Sequence, residues 1–180
     1  MNEYLTKLIE DFKISFTNNF ITDNRWQYLT KGLLVTLEIT FFAVIIGIIL
    51  GFIIAVIRTT YDKTKKLGIL NAICKVYITI IRGTPVVLQL LIIYYVVFAT
   101  VAVDKVLAAV VAFGLNSAAY VAEIVRSGIM SVDPGQMEAG RSLGFTYGQT
   151  MWHIVLPQAF KNILPALGNE FIVLLKETSV

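Results

Sequence analysis

Long apolar runs alternate with short polar stretches along this chain. The run at 39–57 (ITFFAVIIGIILGFIIAVI) carries no charged residue and approaches the ~20 residues that a helix needs to cross a bilayer. The runs at 83–103 and 106–122 are likewise uncharged. Helices satisfy their own backbone hydrogen bonds, which lipid cannot do for them. The pattern therefore predicts an all-α, multi-spanning helical membrane protein.

We expect four crossings, at 32–57, from 83 to about 103, from 106 to about 126, and at 162–175. A further apolar segment, 67–81, contains Lys75, so it is predicted to enter from the membrane surface rather than to cross. The sequence RGTP at 82–85 interrupts the helix, because Gly83 is conformationally permissive and Pro85 suits a first helical position. Asp104 and Lys105 then form a tight turn between two crossings.

The first 31 residues have a different pattern. Leu5, Leu8, Ile9 and Phe12 recur at helical spacing among charged residues. This favours an amphipathic helix lying in the membrane interface, with Trp26 and Tyr28 at the boundary; a loosely ordered tail is the alternative. We divide the chain into this interfacial segment, 1–31, and a transmembrane domain, 32–180, with a polar loop at 130–160.

The charge balance reflects topology rather than nucleic-acid binding. Charged residues make up 15% of the chain, and the net charge is +3; an average soluble domain has about 25% charged residues. The basic residues cluster beside the apolar runs, which predicts loops that remain cytoplasmic and an N-terminus outside. They are Arg58, Lys63, Lys65, Lys66, Arg126, Arg141 and Lys161.

The loop contains the polar stretch MEAGRSLGFTYGQTMWHIVLPQA and carries helix signals at both ends of two short helices. The residues DPGQ at 133–136 predict a capped start, and Gly144 predicts a left-handed stop. Thr146 with Gln149 repeats the capping pattern, and the second helix is expected to end before Pro157. We therefore expect a rigid element that docks a partner rather than a flexible tether.

The spacing of fixed positions in this loop resembles the EAA loop of ABC importer permeases. The matching residues are Glu138, Ala139, Gly140 (in place of an alanine), Gly144, Ile154, Leu156 and Pro157. The RGTP motif and the sequence GNEFIVLLKETS at 168–179 resemble the polar-amino-acid uptake branch. The resemblance covers the chain after about residue 32.

The resemblance implies the fold, the partners and the location. The fold would be a type I ABC importer permease bundle in the bacterial inner membrane, here ending before the family's last helix. In that family the loop inserts into a groove on a cytoplasmic ATPase dimer. This sequence has no phosphate-binding loop, so we expect a non-enzymatic subunit with no cofactor of its own, ATP and Mg²⁺ being held by the partner. A second permease subunit, identical or different, and an extracellular substrate-binding protein complete the implied assembly.

Polar residues within the crossings are candidates for the substrate path, because such groups in a membrane need partners or a watered cavity. Glu38 favours a cationic substrate such as arginine. Thr36 and Thr40 are instead expected to bond to their own helix. The candidates are Glu38, Gln89, Tyr94, Asn116, Ser117, Tyr120 and Glu170, the last in a predicted broken helix near Pro165. Helix–helix hydrogen bonds, or for Glu38 a position near the interface, are the alternative interpretation.

The predicted function is that of the transmembrane subunit of an ATP-driven amino acid importer. An ion-coupled secondary transporter or channel subunit is the alternative, and nucleotide dependence separates the two. His153 is the only histidine, and no cluster of potential metal ligands or activated nucleophile accompanies it, which argues against a membrane-embedded enzyme.

Overall fold

The computed structural model describes residues 2–179, and every regular element in that range is helical. The α-helices of this range are α1 Asn2–Phe16, α2 Trp26–Thr64, α3 Gly68–Gly83, α4 Val86–Ile92, α5 Lys105–Met130, α6 Pro134–Ser142, α7 Tyr147–Thr150 and α8 Leu156–Glu177. They are extended by π-helical turns at Thr17–Ile21, Ile93–Val97 and Met151–Val155, and by a 3-10 turn at Thr22–Asn24. The all-α prediction is confirmed.

Helices α2 and α5 form the centre of the fold, because small residues allow them to approach closely. An added Cβ at Gly47 of α2 would lie 2.7 Å from the Oγ of Ser117 on α5. Conversely, an added Cβ at Gly114 of α5 would lie 2.9 Å from the Cγ2 of Ile46 on α2. A larger side chain at either glycine would push the two helices apart.

Helix α8 packs on α5 in the antiparallel direction. The Asn162 amide donates a hydrogen bond to the Oγ of Ser131 (2.9 Å), and the Oγ of Ser117 donates to Glu170 (3.1 Å), so residue numbers run in opposite senses along the pair. The buried apolar cluster that includes both helices consists of Ala55, Val121, Val125, Ile129, Val132, Val155, Ala159 and Ile163.

Gly128 provides a test of this packing. An added Cβ there would overlap the Cγ1 of Ile163 on α8, and overpacking of this kind costs about 1–3 kcal/mol. We expect Gly128→Ala to lower the thermal unfolding midpoint of the purified chain by several degrees. The matched control is Gly168→Ala on α8, where an added Cβ meets nothing within 4 Å. Equal midpoints for the two variants would contradict this packing.

The crossings differ from the sequence prediction. Of the described helices, α2 and α5 are each long and apolar enough to span a membrane, and α3 with Val86–Val97 forms one further span or a re-entrant segment bent by 110°. The interruption predicted at 82–85 is therefore confirmed, whereas the helix after it ends at Val97 rather than at about residue 103. At 1.5 Å per residue, Val86–Val97 is only ~18 Å long, against a hydrocarbon core of ~30 Å.

The predicted crossing at 162–175 lies within α8, whose 22 residues are long enough to span. Within residues 2–179, however, only α2, α5 and the bent pair are also apolar enough to count as spans. Three of the four predicted crossings therefore correspond to helices that are apolar enough to span, counting the bent pair as one, and the crossing at 162–175 stays a prediction. The polar and charged residues that reduce the apolar character of α8 are Lys161, Asn162, Asn169, Glu170 and Lys176.

Two predicted helix boundaries are wrong, and both were assigned at prolines. The chain continues from α7 through the π-helical turn directly into α8, so no helix ends before Pro157. Pro157 lies in the first turn of α8, where its missing N–H costs little. Pro165 lies inside α8, which continues through it, so the predicted break near Pro165 and Gly168 is absent.

The N-terminal segment is helical. Helix α1 covers 2–16, and its residues from 4 to 16 are exposed. The rings of Phe12, Phe16 and Phe20 stack in sequence, at centroid distances of 6.1 and 5.0 Å. The structure therefore favours the amphipathic helix over the loose tail. Its position in the membrane interface remains a prediction. Trp26, predicted at the boundary, is the first residue of α2, which is longer at both ends than the predicted 32–57.

Candidate functional site

The polar loop begins with a capped helix. The Asp133 carboxylate accepts a hydrogen bond from the N–H of Gly135 (2.7 Å), and Pro134 lies in the first turn of α6. The predicted reciprocal bond from Gln136 is not formed. Its side-chain oxygen instead accepts a hydrogen bond from the amide of Gln158 (3.2 Å), which ties α6 to α8. The start of α6 is confirmed, and its capping box is not.

The turn between α6 and α7 is fixed by local chemistry. Gly144 has φ of +85°, in the left-handed region that favours glycine. The N–H of Phe145 reaches back to the carbonyl of Gly140 (3.2 Å). Thr146 and Gln149 form both hydrogen bonds of a capping box at the start of α7. These bonds hold the two loop helices at a defined angle, as the sequence predicts.

The two parts of the loop pack closely at Gly140. This residue is buried, and an added Cβ would overlap the Cγ2 of Thr150 and lie 2.9 Å from the Cδ1 of Ile154. Met137 packs against the apolar cluster that contains Val155. Gly140 therefore packs the two parts of the loop together, and Met137 seats the loop on the bundle. A movement of α6 would be transmitted to the π-helical turn that leads into α8.

The opposite face of the loop is open. Glu138 and Ala139 are exposed, and Leu143 and Phe145 keep 75% and 39% of their surface exposed. Apolar side chains presented on a rigid support, beside a carboxylate, are typical of an interaction surface. Of the other predicted coupling residues, Ile154 and Leu156 are half-buried and Pro157 is exposed.

Gln89 and Asn116 join the bent segment to α5. The amide of Asn116 donates to the side-chain oxygen of Gln89 (2.9 Å). The amide of Gln89 donates to the carbonyl of Ile81 (2.7 Å) and to both the carbonyl (3.0 Å) and hydroxyl (2.7 Å) oxygens of Thr84. Both side chains are buried. The pair stabilises the bend between α3 and α4, which corresponds to the helix–helix hydrogen-bond alternative.

Ser117 and Tyr120 of α5 each have a charged neighbour on another helix. Ser117 donates to Glu170 of α8 (3.1 Å), and the guanidinium of Arg82 lies over the ring of Tyr120, 5.1 Å from its centroid. Arg82 also lines a groove of about 530 Å³ between α5 and α8, together with Glu123 and several hydroxyl and amide groups. This groove therefore has both a cation and a carboxylate in its lining.

Glu38 and Tyr94 lie apart from that groove. Glu38 is exposed on α2 and lines a groove of about 430 Å³ with Asp104, at the end of α5 away from the loop. Tyr94 packs edge-to-face on Tyr95, with ring centroids 4.9 Å apart, and lines a different surface groove with Phe98. Thr40 donates to the carbonyl of Thr36, as predicted, and its hydroxyl also contacts Thr178 (2.8 Å).

A charged cluster joins α2 to α5, and the sequence prediction did not include it. Arg58 pairs with Glu123, and Arg126 reaches both Asp62 (3.0 Å) and Glu123 (3.5 Å). Arg58 and Arg126 were interpreted only as orientation signals. The indication available in the sequence was the carboxylate of Glu123, which follows an apolar run directly and requires a partner there.

Comparison with known proteins identifies the family of this chain. Residues 43–180 match the family described as the binding-protein-dependent transport system inner membrane component. The chain belongs to this family. The permease is 43% identical over 155 residues to the arginine transport system permease protein ArtQ of Bacillus subtilis (strain 168), covering 85% of this chain and 68% of that one.

Two other relatives have different names. The permease is 40% identical over 163 residues to the L-cystine transport system permease protein TcyB of Bacillus subtilis (strain 168), covering 90% of this chain and 68% of the relative. It is 39% identical over 155 residues to a putative glutamine transport system permease protein GlnP of Rickettsia prowazekii (strain Madrid E), covering 85% and 69%.

The fold has solved counterparts. A crystal structure of an amino acid ABC transporter with histidines aligns with a TM-score of 0.77 at 45% identity, covering 88% of this permease and 73% of that chain. An inward-facing MetNI methionine ABC transporter aligns with a TM-score of 0.72 at 22% identity, covering 87% and 74%, and shows the fold alone.

These findings confirm the resemblance drawn from the EAA loop. The permease is a transmembrane subunit of the amino acid ABC importer class, built as an ABC importer permease bundle. Its relatives are ABC permeases, so the comparisons favour this function over an ion-coupled secondary transporter or channel. The roles of individual residues in the loop and bundle remain predictions.

Proposed function

We propose that this permease imports a basic amino acid such as arginine. The observation that carries the proposal is the groove lined by two carboxylates, Glu38 and Asp104. A groove lined by negative charge raises the local concentration of cations and disfavours anions. The relatives are named for arginine, cystine and glutamine, so their names alone do not select a substrate.

The proposed route continues from the Glu38 groove into the bundle. Besides Glu38, the residues assigned to it are the other sequence candidates: Gln89, Tyr94, Asn116, Ser117, Tyr120 and Glu170. Gln89 and Asn116 also stabilise the bend between α3 and α4, and Tyr94 lines a groove of its own. An amino acid needs a cation for its carboxylate. Arg82 lines a groove of about 530 Å³, a volume within the usual range for small-molecule sites; the Glu123 carboxylate in the same lining is already paired with Arg58 and Arg126. The groove supports a route that passes between α5 and α8.

The loop is proposed to couple the bundle to an ATPase dimer, which would hold ATP and Mg²⁺. Glu138 and Ala139 would dock on it, while Gly140, Gly144, Ile154, Leu156 and Pro157 hold the docking face and connect it to α8. A second permease subunit would complete the path, and an external binding protein would deliver the substrate. This arrangement puts the loop in the cytoplasm and the N-terminus outside, across a bacterial inner membrane.

The test of substrate class is ATP-driven uptake into proteoliposomes that contain the complete transporter. Labelled arginine is competed against lysine, histidine, glutamine and glutamate. We expect Glu38→Gln to raise the KM for arginine about fivefold or more, because an ion pair of about 1 kcal/mol or more is lost. Uptake of glutamine should change little.

The matched control is Glu10→Gln, which removes a carboxylate from the exposed helix α1. An equal loss for arginine and glutamine in Glu38→Gln would remove Glu38 as a selector while leaving the importer intact. Uptake that does not depend on ATP would contradict the coupling proposal itself and favour a gradient-driven transporter.

A further inference from the structure

An apolar groove runs along the outside of the bundle where α2 meets the loop. Two adjoining cavities of about 410 Å³ each share Phe52, Trp152 and Leu156 as walls. Val56, Met151 and Phe160 extend the lining. Trp152 itself is 69% exposed. We name this feature the Trp152 groove; it lies on a membrane protein's outer surface near one end of its longest helix.

A buried hydroxyl without a partner lies in the same groove. Thr59 lines it, is 4% exposed, and its Oγ1 has no hydrogen-bond partner among the described residues. Other helical threonines of the chain bond to a carbonyl of their own helix: Thr64 donates to Thr60 (2.7 Å) and Thr40 to Thr36 (2.7 Å). An unpaired buried donor is costly. The Thr59 Oγ1 is closed to solvent in this structure, so a bound ligand would accept from it once the side chain rotates toward the groove.

Positive charge lies at the loop end of the groove. Phe52, Val56, Thr59, Thr60 and Lys63 are spaced at helical intervals along α2, so they share one face. Along three turns of this face, the side chains change from apolar (Phe52) to hydroxyl-bearing (Thr59) to cationic (Lys63). This order matches the acyl chain, the glycerol backbone and the phosphate of a phospholipid.

Donors from the loop complete the polar end. Tyr147 lines the groove, and burial raises the pKa of its phenol, so it remains a neutral hydrogen-bond donor at physiological pH. Trp152 is a side chain of the type enriched where hydrocarbon meets headgroups. The groove is thus lined by apolar side chains and by three hydroxyl-bearing residues, with no carboxylate among the described residues of its lining. The Lys63 ammonium lies one helical turn further along α2.

We propose that the Trp152 groove binds an anionic phospholipid, with an acyl chain against Phe52, Trp152 and Phe160 and the phosphate near Thr59 and Lys63. Basic pockets beside membrane helices recognise anionic headgroups in this way. One wall is the π-helical turn Met151–Val155, which joins α7 to α8. A bound lipid would therefore brace the loop against α2, independently of the substrate that the transporter carries.

The experiment uses the full chain in phosphatidylcholine vesicles that contain phosphatidylglycerol with a photoreactive group on its acyl chain. After irradiation, the labelled segment is identified by mass spectrometry. We expect labelling within 147–160, displaced by unlabelled phosphatidylglycerol and not by phosphatidylcholine. Lys63→Gln and Thr59→Val should each reduce it about threefold or more, because each removes a headgroup contact.

Lys105→Gln, at the far end of α5, is the matched control and should leave labelling unchanged. Thr59→Val removes an unpartnered hydroxyl at nearly constant volume, so it should fold normally. Equal labelling by a photoreactive phosphatidylcholine, insensitive to Lys63 and Thr59, would overturn headgroup recognition. No labelling within 147–160, the result expected if a second copy of the chain covers the groove, would also overturn the proposal.

Discussion

Replacing Gly140 with leucine is expected to abolish ATP-driven uptake. Even the first atom of the new side chain would overlap the Cγ2 of Thr150 and crowd the Cδ1 of Ile154 at 2.9 Å. Both neighbours belong to the segment that carries α7 into α8, so α6 must lift away from its seat. We expect transport to fall about a hundredfold, by analogy with catalytic groups, for which a misplacement of about 1 Å has effects of this size.

The measurements are uptake of labelled amino acid and ATP hydrolysis by the same proteoliposomes. Hydrolysis that persists without uptake would indicate uncoupling, and loss of both would indicate that the ATPase no longer docks. Either result agrees with the role assigned to Gly140, provided that the variant inserts into the membrane in normal amounts. Uptake within twofold of the original chain would contradict that role.

A pair of smaller substitutions tests the contact itself. Gly140→Ala adds only the Cβ, which meets the Thr150 methyl group. Thr150→Ser removes that methyl group and keeps the hydroxyl, which donates to the carbonyl of Thr146 (3.0 Å). We expect Gly140→Ala to impair uptake and the double variant to recover it. No recovery would mean that a different contact limits the loop.

Local chemistry explains what could be predicted from the sequence. The left-handed turn at Gly144 and the capping box of Thr146 with Gln149 depend on residues within three positions of each other, and both are present. Gln136 lies at an equally suitable spacing but bonds to Gln158, which is 22 residues away. A tertiary partner replaced the local one, and nothing in the sequence around Gln136 indicates it.

The second group of errors arose from treating proline as a boundary. Pro157 was expected to end a helix and Pro165 to break one, yet α8 includes both. A π-helical turn before Pro157 changes the register of the backbone bonds, and a proline in the first turn loses no bond that the helix needs. The motif positions were predicted correctly; the continuous helix that carries them was not.

The ion pairs between distant charges could not be predicted from the sequence, because each depends on a tertiary contact. Arg58 and Glu123 are separated by more than one helix in the chain, and only the close α2–α5 approach at Gly47 and Gly114 brings them together. The basic residue alone is an ordinary orientation signal. Its partner could be identified only once the packing of α2 against α5 was known.

Neutralising Glu123 is therefore expected to have the largest effect on stability. The side chains of Arg58 and Glu123 are only 12% and 23% exposed, and Arg126 contacts the same carboxylate. Removing one partner of a buried ion pair costs about 3–5 kcal/mol, and the residual exposure favours the lower end. We expect Glu123→Gln to lower the unfolding midpoint markedly, measured by tryptophan fluorescence in detergent.

A double variant, Glu123→Gln with Arg58→Gln, tests whether the unpaired Arg58 charge adds to the loss of stability. In Glu123→Gln, Arg58 loses its partner, whereas Arg126 keeps Asp62. Adding Arg58→Gln removes the unpaired charge, so we expect the double variant to be more stable than Glu123→Gln alone and the two effects to be non-additive. Additive losses would mean that the two side chains do not interact, and the α2–α5 junction would then depend on glycine packing alone. Recovery would instead indicate that the charged cluster sets which helices pair at this end, and apolar packing fixes how closely they approach.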